Sequence, residues 1–491
     1  MEVIFETLAA VLSVQALALL VLGVVIGMIV GALPGLSATM GIALALPFTF
    51  SLEPMMALGL LAGIHNGASQ GGAIPAILLR IPGTPGSVVT AWDGYPLAQR
   101  GDAGAAIQLA AVSSAVGGMI GACALGLLGP LLASVTISFG PPEMFGMAIF
   151  GLICVSVLVG PNILKGLISG CLGLLLSTVG FDAVTGYERF SFGVPQLAAG
   201  IPELAVIIGL FSLPPAWEIA RNASTGLDLR DIKIVVNKGV WTIRQVWRSW
   251  LRSSGIGVGL GILPGSSVGA FLAYAVEKGA SKDPESFGKG NVSGLAAAEA
   301  VNNADNAAAM IPALTLGVPG SAIAAMMLGA LVIQGLVPGP QLFKTSPVIV
   351  YGYAVQMFLG SALLVVLGGV VASRLYANVL RMPQVLILTM VVAMTAIGAY
   401  ASANEMFPAY VGFGFGLLGV MLMYLGFPLV PIVIGMVLGK QIEFNLQVST
   451  LMGNGSPGIL IERPVSATLL IASAVLMAGM VGLKLRRRML A

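Results

Sequence analysis

The chain has 491 residues, of which 57% are hydrophobic and only 9% are charged, and its formal net charge is +3. Soluble domains carry about 25% charged residues and their cores stop growing near 250–300 residues, so this composition excludes a soluble globular protein. One histidine and three cysteines exclude a histidine-rich metal site and a disulfide framework, and we expect no cofactor. The spread of the charges excludes a nucleic-acid-binding face.

Long apolar stretches follow one another along the chain. They cover residues 9–30, 42–62, 103–133, 144–159, 163–179, 201–213, 295–316, 322–337, 348–371, 385–401, 409–425, 430–438 and 467–483. A membrane-spanning helix needs about 20 apolar residues, and in lipid a helix satisfies its own backbone groups. The sequence therefore predicts an all-α polytopic membrane protein with roughly 12 transmembrane helices. Proline and glycine break several of them into interrupted or re-entrant segments.

A polar interval between residues 221 and 252 divides the chain. Its cations outnumber its acids, with Arg221, Arg230, Lys233, Lys238, Arg244, Arg248 and Arg252 against Asp228 and Asp231. Cytoplasmic loops of membrane proteins are rich in Lys and Arg, and the three tryptophans among these arginines favour an amphipathic segment at the membrane surface. We therefore divide the chain into a first membrane repeat (1–220), a basic cytoplasmic connector (221–252) and a second membrane repeat (253–491).

Two motifs occur twice and in the same order. Residues 31–37 (GALPGLS) match residues 261–267 (GILPGSS), and residues 74–83 (IPAILLRIPG) match residues 311–320 (IPALTLGVPG). In that register His65 corresponds to Asn302, and Asn66 to Asn303. The pattern predicts an internal duplication.

The distribution of cations predicts the orientation of both copies. No Lys or Arg precedes Arg80, whereas Lys484, Arg486, Arg487 and Arg488 lie near the C-terminus. The positive-inside rule then predicts a periplasmic N-terminus and a cytoplasmic C-terminus. Because the first copy is entered from outside and the second from the cytoplasm, the repeats are predicted to be inverted, as in many secondary transporters.

Each copy carries two Pro-Gly breaks inside apolar sequence, at Pro34-Gly35, Pro82-Gly83, Pro264-Gly265 and Pro319-Gly320. Proline removes a backbone donor, and irregular backbone at membrane depth is tolerated only inside protein or beside water. A hydroxyl suited to cap a restarting helix follows each break: Ser37, Thr84, Ser266 or Ser267, and Ser321. We predict that the breaks surround one cavity, where helix N-termini bind a carboxylate and free carbonyls bind Na⁺. Simple proline kinks are the alternative.

Polar residues cluster beside the breaks. Asn66, Ser69 and Gln70 precede the second break of the first copy, and Glu299, Asn302, Asn303, Asp305 and Asn306 precede that of the second. We predict that Asn66, Asn302 and Asn303 bind substrate, together with the breaks and their hydroxyls. Ionisable groups at membrane depth are usually functional, so Asp305, Glu299 and His65 are candidates for ion coupling. The alternatives are an interfacial position for Glu299 and a structural role for His65.

These motifs resemble the large membrane subunit of the tripartite tricarboxylate transporters. The similarity covers GALPGLSATMGIALALPFTF from Gly31, GGAIPAILLRIPGTPGS from Gly71, DGYPLAQRG from Asp93, GLGILPGSSVGAFLAYAVEK from Gly259, EAVNNADNAAAMIPALTLGVPGS from Glu299 and GLVPGPQLF from Gly335. The resemblance implies a permease of the bacterial inner membrane that imports dicarboxylates or tricarboxylates such as citrate, driven by a Na⁺ or H⁺ gradient. It also implies two partners, a small four-helix membrane subunit and a periplasmic solute-binding protein.

Two other classes of protein remain to be distinguished. A stand-alone secondary carboxylate transporter or channel, working without a binding protein, has the same composition. An intramembrane enzyme is not expected, because the chain has no H-E-x-x-H motif and a single histidine leaves few general bases.

Overall fold

The computed structural model describes residues 2–33, 36–84, 86–158, 162–182, 184–222, 241–263, 269–371 and 384–490, and these are almost wholly helical. Before the basic connector lie α1 (Glu2–Val11), α2 (Val14–Ala32), α3 (Ala38–Ala45), α4 (Pro54–Gly71), α5 (Ala73–Leu79), α6 (Ser87–Leu97), α7 (Ala103–Thr136), α8 (Pro141–Leu158), α9 (Ile163–Ser177) and α10 (Glu203–Asn222). After it come α11 (Ile243–Gly261), α12 (Gly269–Ala280), α13 (Val292–Ala308), α14 (Met310–Leu316), α15 (Ala322–Ile333), α16 (Leu342–Thr345), α17 (Pro347–Leu364), α18 (Gln384–Ala401), α19 (Met406–Tyr424), α20 (Val430–Met452), α21 (Ile459–Glu462) and α22 (Pro464–Leu490).

Several of these helices suit a membrane. By length and composition, Val14–Ala32, Ser87–Thr136, Glu203–Arg221, Pro347–Gly369 and Met406–Tyr424 could each cross a bilayer, and six further apolar helices are shorter. Large apolar side chains also point outward, including Leu127 (75% exposed) and Leu417 (67%). An apolar exterior of this kind is stable only against lipid or another apolar surface. The protein is therefore an all-α membrane protein, as the sequence predicts.

The two copies of the repeated sequence form helices in the same order. Helix α2 ends just before the first Pro-Gly break, and α3, α4 and the seven-residue α5 follow it. Helices α11, α12, α13 and the seven-residue α14 follow the same plan. Both seven-residue helices end at a residue in the left-handed conformation, Arg80 (φ 60°) and Gly317 (φ 68°). The chain then turns back toward the start of α6 or α15.

Glycines set the direction of each central helix pair. A Cβ added at Gly23 or Gly31 of α2 would overlap the backbone oxygens of Leu60 and Ala68 of α4, respectively. The residue numbers of α2 and α4 rise together along this contact, so the two helices are parallel. Gly257 and Gly261 of α11 lie in the same way on successive turns of α13, so that pair is also parallel.

The two pairs run in opposite directions. Helix α7 lies parallel to α13, because Gly117 meets Ala300 and Gly121 meets Ala304. Helix α17 lies parallel to α4, because Gly352 meets Met55 and Gly360 meets Asn66. Helices α7 and α17 are antiparallel to each other, with Gly118 against Ser361 and Gly126 against Ala354. It follows that α4 and α13 run in opposite directions.

We call the end of the molecule at which α2 and α4 begin the A end, and the end at which α11 and α13 begin the B end. Helices α4 and α13 start from these opposite ends and stop near the middle of the molecule. The helices α8, α9 and α10 pack against α18, α19 and α20 to complete the bundle. The boundaries of the predicted repeats at residues 220 and 252 stay predictions.

A short hairpin of β1 (Gly180–Phe181) and β2 (Glu188–Arg189) lies between α9 and α10. Arg189 anchors it to α20, with Nη1 and Nη2 donating to the Glu443 carboxylate at 2.5 and 2.9 Å. Hydrogen bonds from the Thr185 backbone and from the Gln447 side chain hold the pKa of Asp182 well below its usual range. The hairpin is thus tied to the bundle by charged contacts.

Candidate functional site

A cavity of about 300 Å³ lies where α4 and α13 approach each other. It is lined by Ser37, Ala38, Thr39, His65, Ser69, Thr84, Gly86, Gly269, Ala270, Val301, Asn302, Asp305, Asn306, Ala309, Gly320, Ser321, Ala322, Ile323 and Val430. Residues from α3, α4 and α15 form the wall toward the A end, which we call the A wall. Residues from α6, α12 and α13 form the wall toward the B end, the B wall.

Hydroxyl side chains mark three helix N-termini around the cavity. Ser37 Oγ accepts a hydrogen bond from the Met40 N–H at 3.2 Å, which caps α3. Ser321 Oγ accepts from the Ala324 N–H at 3.1 Å and caps α15 in the same way. Thr84 bonds Ser87 in the first turn of α6, with 2.6 Å between the hydroxyl oxygens. Helix N-termini carry partial positive charge, so the cavity is bordered by three positive ends.

One hydrogen bond joins α4 and α13 across the cavity. Asn306 Nδ2 donates to Ser69 Oγ at 2.6 Å, and His65 lines the same cavity. In the register of the repeat, Ser69 and Asn306 occupy equivalent positions. The bond therefore lies close to the axis that relates the two copies.

Asn302 lies beside the start of α6. A Cβ added at Gly86 would lie 2.5 Å from Asn302 Oδ1, so a larger residue here would displace this amide. Asn302 Nδ2 is buried and has no hydrogen-bond partner among the described residues. Buried donors are rarely left without a partner, and this one borders the cavity, where it could donate to a bound anion.

The charges of the cavity are few. Asp305 brings a carboxylate and His65 an imidazole, and among the described residues no Lys or Arg lines the cavity. An anion held here would therefore be compensated by helix termini, amides and hydroxyls, or by a cation that binds with it. Among the described residues no three His, Cys, Asp or Glu side chains are grouped closely enough to bind a metal ion.

Three predicted site residues are buried beside the cavity without lining it. The amide of Asn66 donates to the Met357 oxygen at 3.1 Å and joins α4 to α17. Asn303 is buried where α13 meets α7, close to Gly118. Glu299 is buried and bonds hydroxyls on α6 and α7.

The Pro-Gly breaks are only partly described. Gly320 lines the cavity, whereas Pro82, Gly83 and Pro319 do not. The Gly83 N–H donates to the Gly72 oxygen at 3.3 Å, which brings the chain back to the tip of α4. Pro34, Gly35, Pro264, Gly265, Ser266 and Ser267 lie outside the described residues.

Sequence reasoning noted Ser69 and Asn306 as neighbours of the breaks but not as site residues, and it missed Thr39 and Gly86. Ser69 follows His65 by four residues and Asn306 follows Asn302 by four, so each pair shares one helix face. This spacing was the available signal. Thr39 and Gly86 carried none, because only the fold brings them to the cavity.

A second polar cluster holds the helices of the B wall together. Asp93, fully buried on α6, accepts backbone N–H bonds on Oδ1 from Gly288, Gly290 and Asn291 at 2.8, 2.9 and 2.8 Å. Its Oδ2 accepts from the Tyr274 hydroxyl of α12 at 2.8 Å. These bonds join α6 to α12 and to the loop that precedes α13. We call this cluster the Asp93 anchor.

The A wall has a smaller fastening. Gln334, at the end of α15, donates from Nε2 to the Thr49 backbone oxygen at 2.8 Å. Thr49 belongs to the turn that joins α3 to α4. This single bond, the Gln334 anchor, joins α15 to the rest of the A wall.

A central cavity between oppositely directed helix groups defines the class of protein: the architecture is that of a membrane transporter. Residues 17–434 match the family described as "Tripartite tricarboxylate transporter TctA family". The chain therefore belongs to the TctA family. It is a transport component, the large subunit of a tripartite system.

Two relatives come from Agrobacterium vitis. The "Uncharacterized 52.8 kDa protein in TAR-I ttuC' 3'region" is 36% identical over 454 residues, which cover 91% of this chain and 89% of the relative. The "Uncharacterized protein in TAR-II ttuC' 3'region" is 34% identical over 213 residues, 43% of this chain and 88% of the relative. No solved structure matches the chain.

Proposed function

We propose that the chain is the permease subunit of a binding-protein-dependent secondary transporter that imports dicarboxylates or tricarboxylates such as citrate. The observation that carries the proposal is the cavity itself, which three helix N-termini border and no described Lys or Arg lines. Such a site suits a carboxylate that must bind and leave again, because helix termini attract an anion less strongly than a buried cation would.

The substrate carboxylates would bind at the N-termini capped by Ser37 and Ser321 and at the first turn of α6, which begins beside Thr84. The unpartnered amide of Asn302 would donate a further hydrogen bond. Gly320 lines the cavity, and Pro82, Gly83 and Pro319 would support it from outside the lining. The breaks at residues 34–35 and 264–265 and the hydroxyls of Ser266 and Ser267 remain predicted parts of this site. Asn66 and Asn303 would support it from outside the lining.

Ion coupling would use a sodium or proton gradient. Asp305 in the cavity could bind a cation beside the substrate, with His65 and Glu299 as the other candidates. A cation bound with the anion would reduce the charge carried by the moving part of the protein. Alternating access would then open the A wall and the B wall in turn.

The distribution of cations supports an orientation in the bacterial inner membrane. Arg244, Arg248 and Arg252 lie on α11, which begins at the B end, and Lys278 lies near the end of α12. By the positive-inside rule the B end would face the cytoplasm, and the N-terminus and A end the periplasm. A periplasmic solute-binding protein would then deliver substrate to the A end, and a small four-helix subunit would complete the membrane complex.

Uptake measurements test this proposal. Cells that express the chain and its small subunit are assayed with labelled citrate, malate and succinate, with and without the binding protein and with sodium or proton gradients collapsed separately. We expect uptake that needs the binding protein and one gradient, and we expect Asn302→Leu to abolish it while membrane insertion persists. Uptake that persists without the binding protein would favour a stand-alone transporter. Normal uptake by Asn302→Leu would contradict the site.

A further inference from the structure

Glu299 is a fully buried carboxyl at the junction of three helices. It lies on α13, and its Oε1 accepts a hydrogen bond from the Thr90 hydroxyl of α6. Its Oε2 accepts from the Ser114 hydroxyl of α7 at 2.8 Å. Both oxygens are thus bonded to neutral groups on two different neighbours.

No cation compensates this carboxyl within the part of the chain that the structure describes. The titratable groups of the helices packed around it are His65 on α4, Asp93 and Tyr95 on α6, Cys123 on α7, Arg244, Arg248 and Arg252 on α11, Tyr274, Glu277 and Lys278 on α12, Asp305 on α13, and Tyr351 and Tyr353 on α17. Arg252 pairs with Glu277 at 3.1 Å instead. An isolated buried carboxylate is costly, so Glu299 needs either a proton or a bound metal ion.

The packing around Glu299 favours the proton. A metal ion buried among these helices would need several oxygen ligands, and the contacts around Glu299 supply one carboxyl and two hydroxyls. The neighbours Ala298 and Ala300 are fully buried, and a Cβ added at Gly117 would overlap the Ala300 backbone oxygen. Among the described residues no further oxygen atom is bonded to the Glu299 carboxyl.

Glu299 is connected to the cavity through the two helices that hold it. It precedes Asn302 by three residues, about 4.5 Å along the helix axis. Thr90 follows Gly86, the residue that lies against Asn302, by about one turn of α6. A change in the charge of Glu299 therefore acts on the contact between α6 and α13, which is part of the B wall.

We propose that Glu299 carries the coupling proton at a site of its own, between α6, α7 and α13, separate from the substrate cavity. The inference rests on the proposed transport function. We assign the neutral carboxylic acid to the packed state of α6 and α13; its O–H then donates to the Thr90 or the Ser114 hydroxyl, which can rotate to accept. When the B wall opens, the O–H bond breaks, the electron pair stays on the carboxylate and the proton passes to water at the B end.

Purified complex in proteoliposomes tests the inference, with a pH-sensitive dye inside and labelled citrate, malate or succinate as the probe. We expect Glu299→Gln to reduce the substrate accumulation driven by a proton gradient by about tenfold or more. It should also lose the substrate-dependent proton influx. Exchange of internal for external substrate should persist, because the amide still bonds Thr90 and Ser114. The matched control is Glu143→Gln, another buried carboxyl, which caps Gly140 at the start of α8 and should change neither readout.

The outcomes are distinct. Two results would overturn the inference and leave the proposed transport function intact. The first is that the natural chain accumulates substrate with a sodium gradient alone and moves no protons. The second is that proton influx survives in Glu299→Gln. Failure of the natural chain to exchange any of the three probes contradicts the proposed function itself. If Glu299→Gln does not insert, Ser114→Ala removes one hydroxyl and keeps the carboxyl, and it should shift the pH dependence of proton influx. An unchanged pH profile would then refute the inference.

Discussion

The two walls of the cavity are built from corresponding helices, but different hydrogen bonds hold each wall together. The B wall is held by the Asp93 anchor, in which one buried carboxylate accepts four hydrogen bonds. The A wall is held by the Gln334 anchor, a single bond from a neutral amide. In the register of the repeat, Asp93 corresponds to Ala330 and Gln334 to Leu97, so neither anchor has a counterpart in the other copy.

This difference shows that two copies of one backbone arrangement can be stabilised by different amounts. A hydrogen bond to a charged group contributes about 1.5–3 kcal/mol and a neutral one about 0.5–1.5 kcal/mol. By the hydrogen bonds of these two anchors, the B wall is therefore the more firmly held together of the two. If the B end faces the cytoplasm, substrate would enter through the wall that is easier to open.

Removal of the Asp93 anchor should have the largest effect. Asp93→Ala leaves three backbone N–H groups and a buried hydroxyl without their acceptor, so we expect the free energy of unfolding to fall by about 3 kcal/mol or more. Thermal unfolding in detergent measures this loss. Hydrogen exchange of residues 288–291 should rise at the same time, and unchanged exchange in that loop would show that the anchor does not hold it.

Gly86→Ala should have an intermediate effect, because it acts on the B wall without touching its anchor. The added Cβ would lie 2.5 Å from Asn302 Oδ1 and force the Asn302 side chain out of its position, at a cost of about 1–3 kcal/mol. We expect weaker substrate binding, measured by titration calorimetry with the transported carboxylate. The control is Gly255→Ala on α11, where a Cβ meets open space. Equal substrate affinities of Gly86→Ala and Gly255→Ala would show that Asn302 is not part of the binding site.

Gln334→Ala should have the smallest effect. It removes one neutral hydrogen bond from the A wall, so we expect a loss of only about 0.5–1.5 kcal/mol in the same thermal assay. Hydrogen exchange in the loop before α13 should stay unchanged. A destabilisation as large as that of Asp93→Ala would contradict the ranking of the two walls.

Much of this architecture could be predicted from sequence, because its signals are local. Hydrophobic stretches predicted an all-α membrane protein, and the hydroxyls Ser37 and Ser321 were predicted as helix caps, which they are. The paired motifs also indicated that residues from both halves would meet, and His65, Asn302 and Asp305 now line one cavity.

The remaining features depend on contacts between distant segments. Asn302 and Asn303 are adjacent in sequence, yet one lines the cavity and the other is buried against α7. Which face of α13 turns inward is decided by packing with its neighbours, and composition alone does not encode it. The partners of Asp93 lie almost 200 residues further along the chain, so no local sequence pattern could predict the Asp93 anchor.

The hydrogen bond between Ser69 and Asn306 bears on the ancestry of such a chain. If two identical subunits assembled antiparallel about a twofold axis at this point, each would place the same side chain at the contact. A fused gene removes that constraint, since each half accumulates its own mutations. Here one half contributes a hydroxyl acceptor and the other an amide donor. A homodimer could not place two different side chains at one position of its sequence.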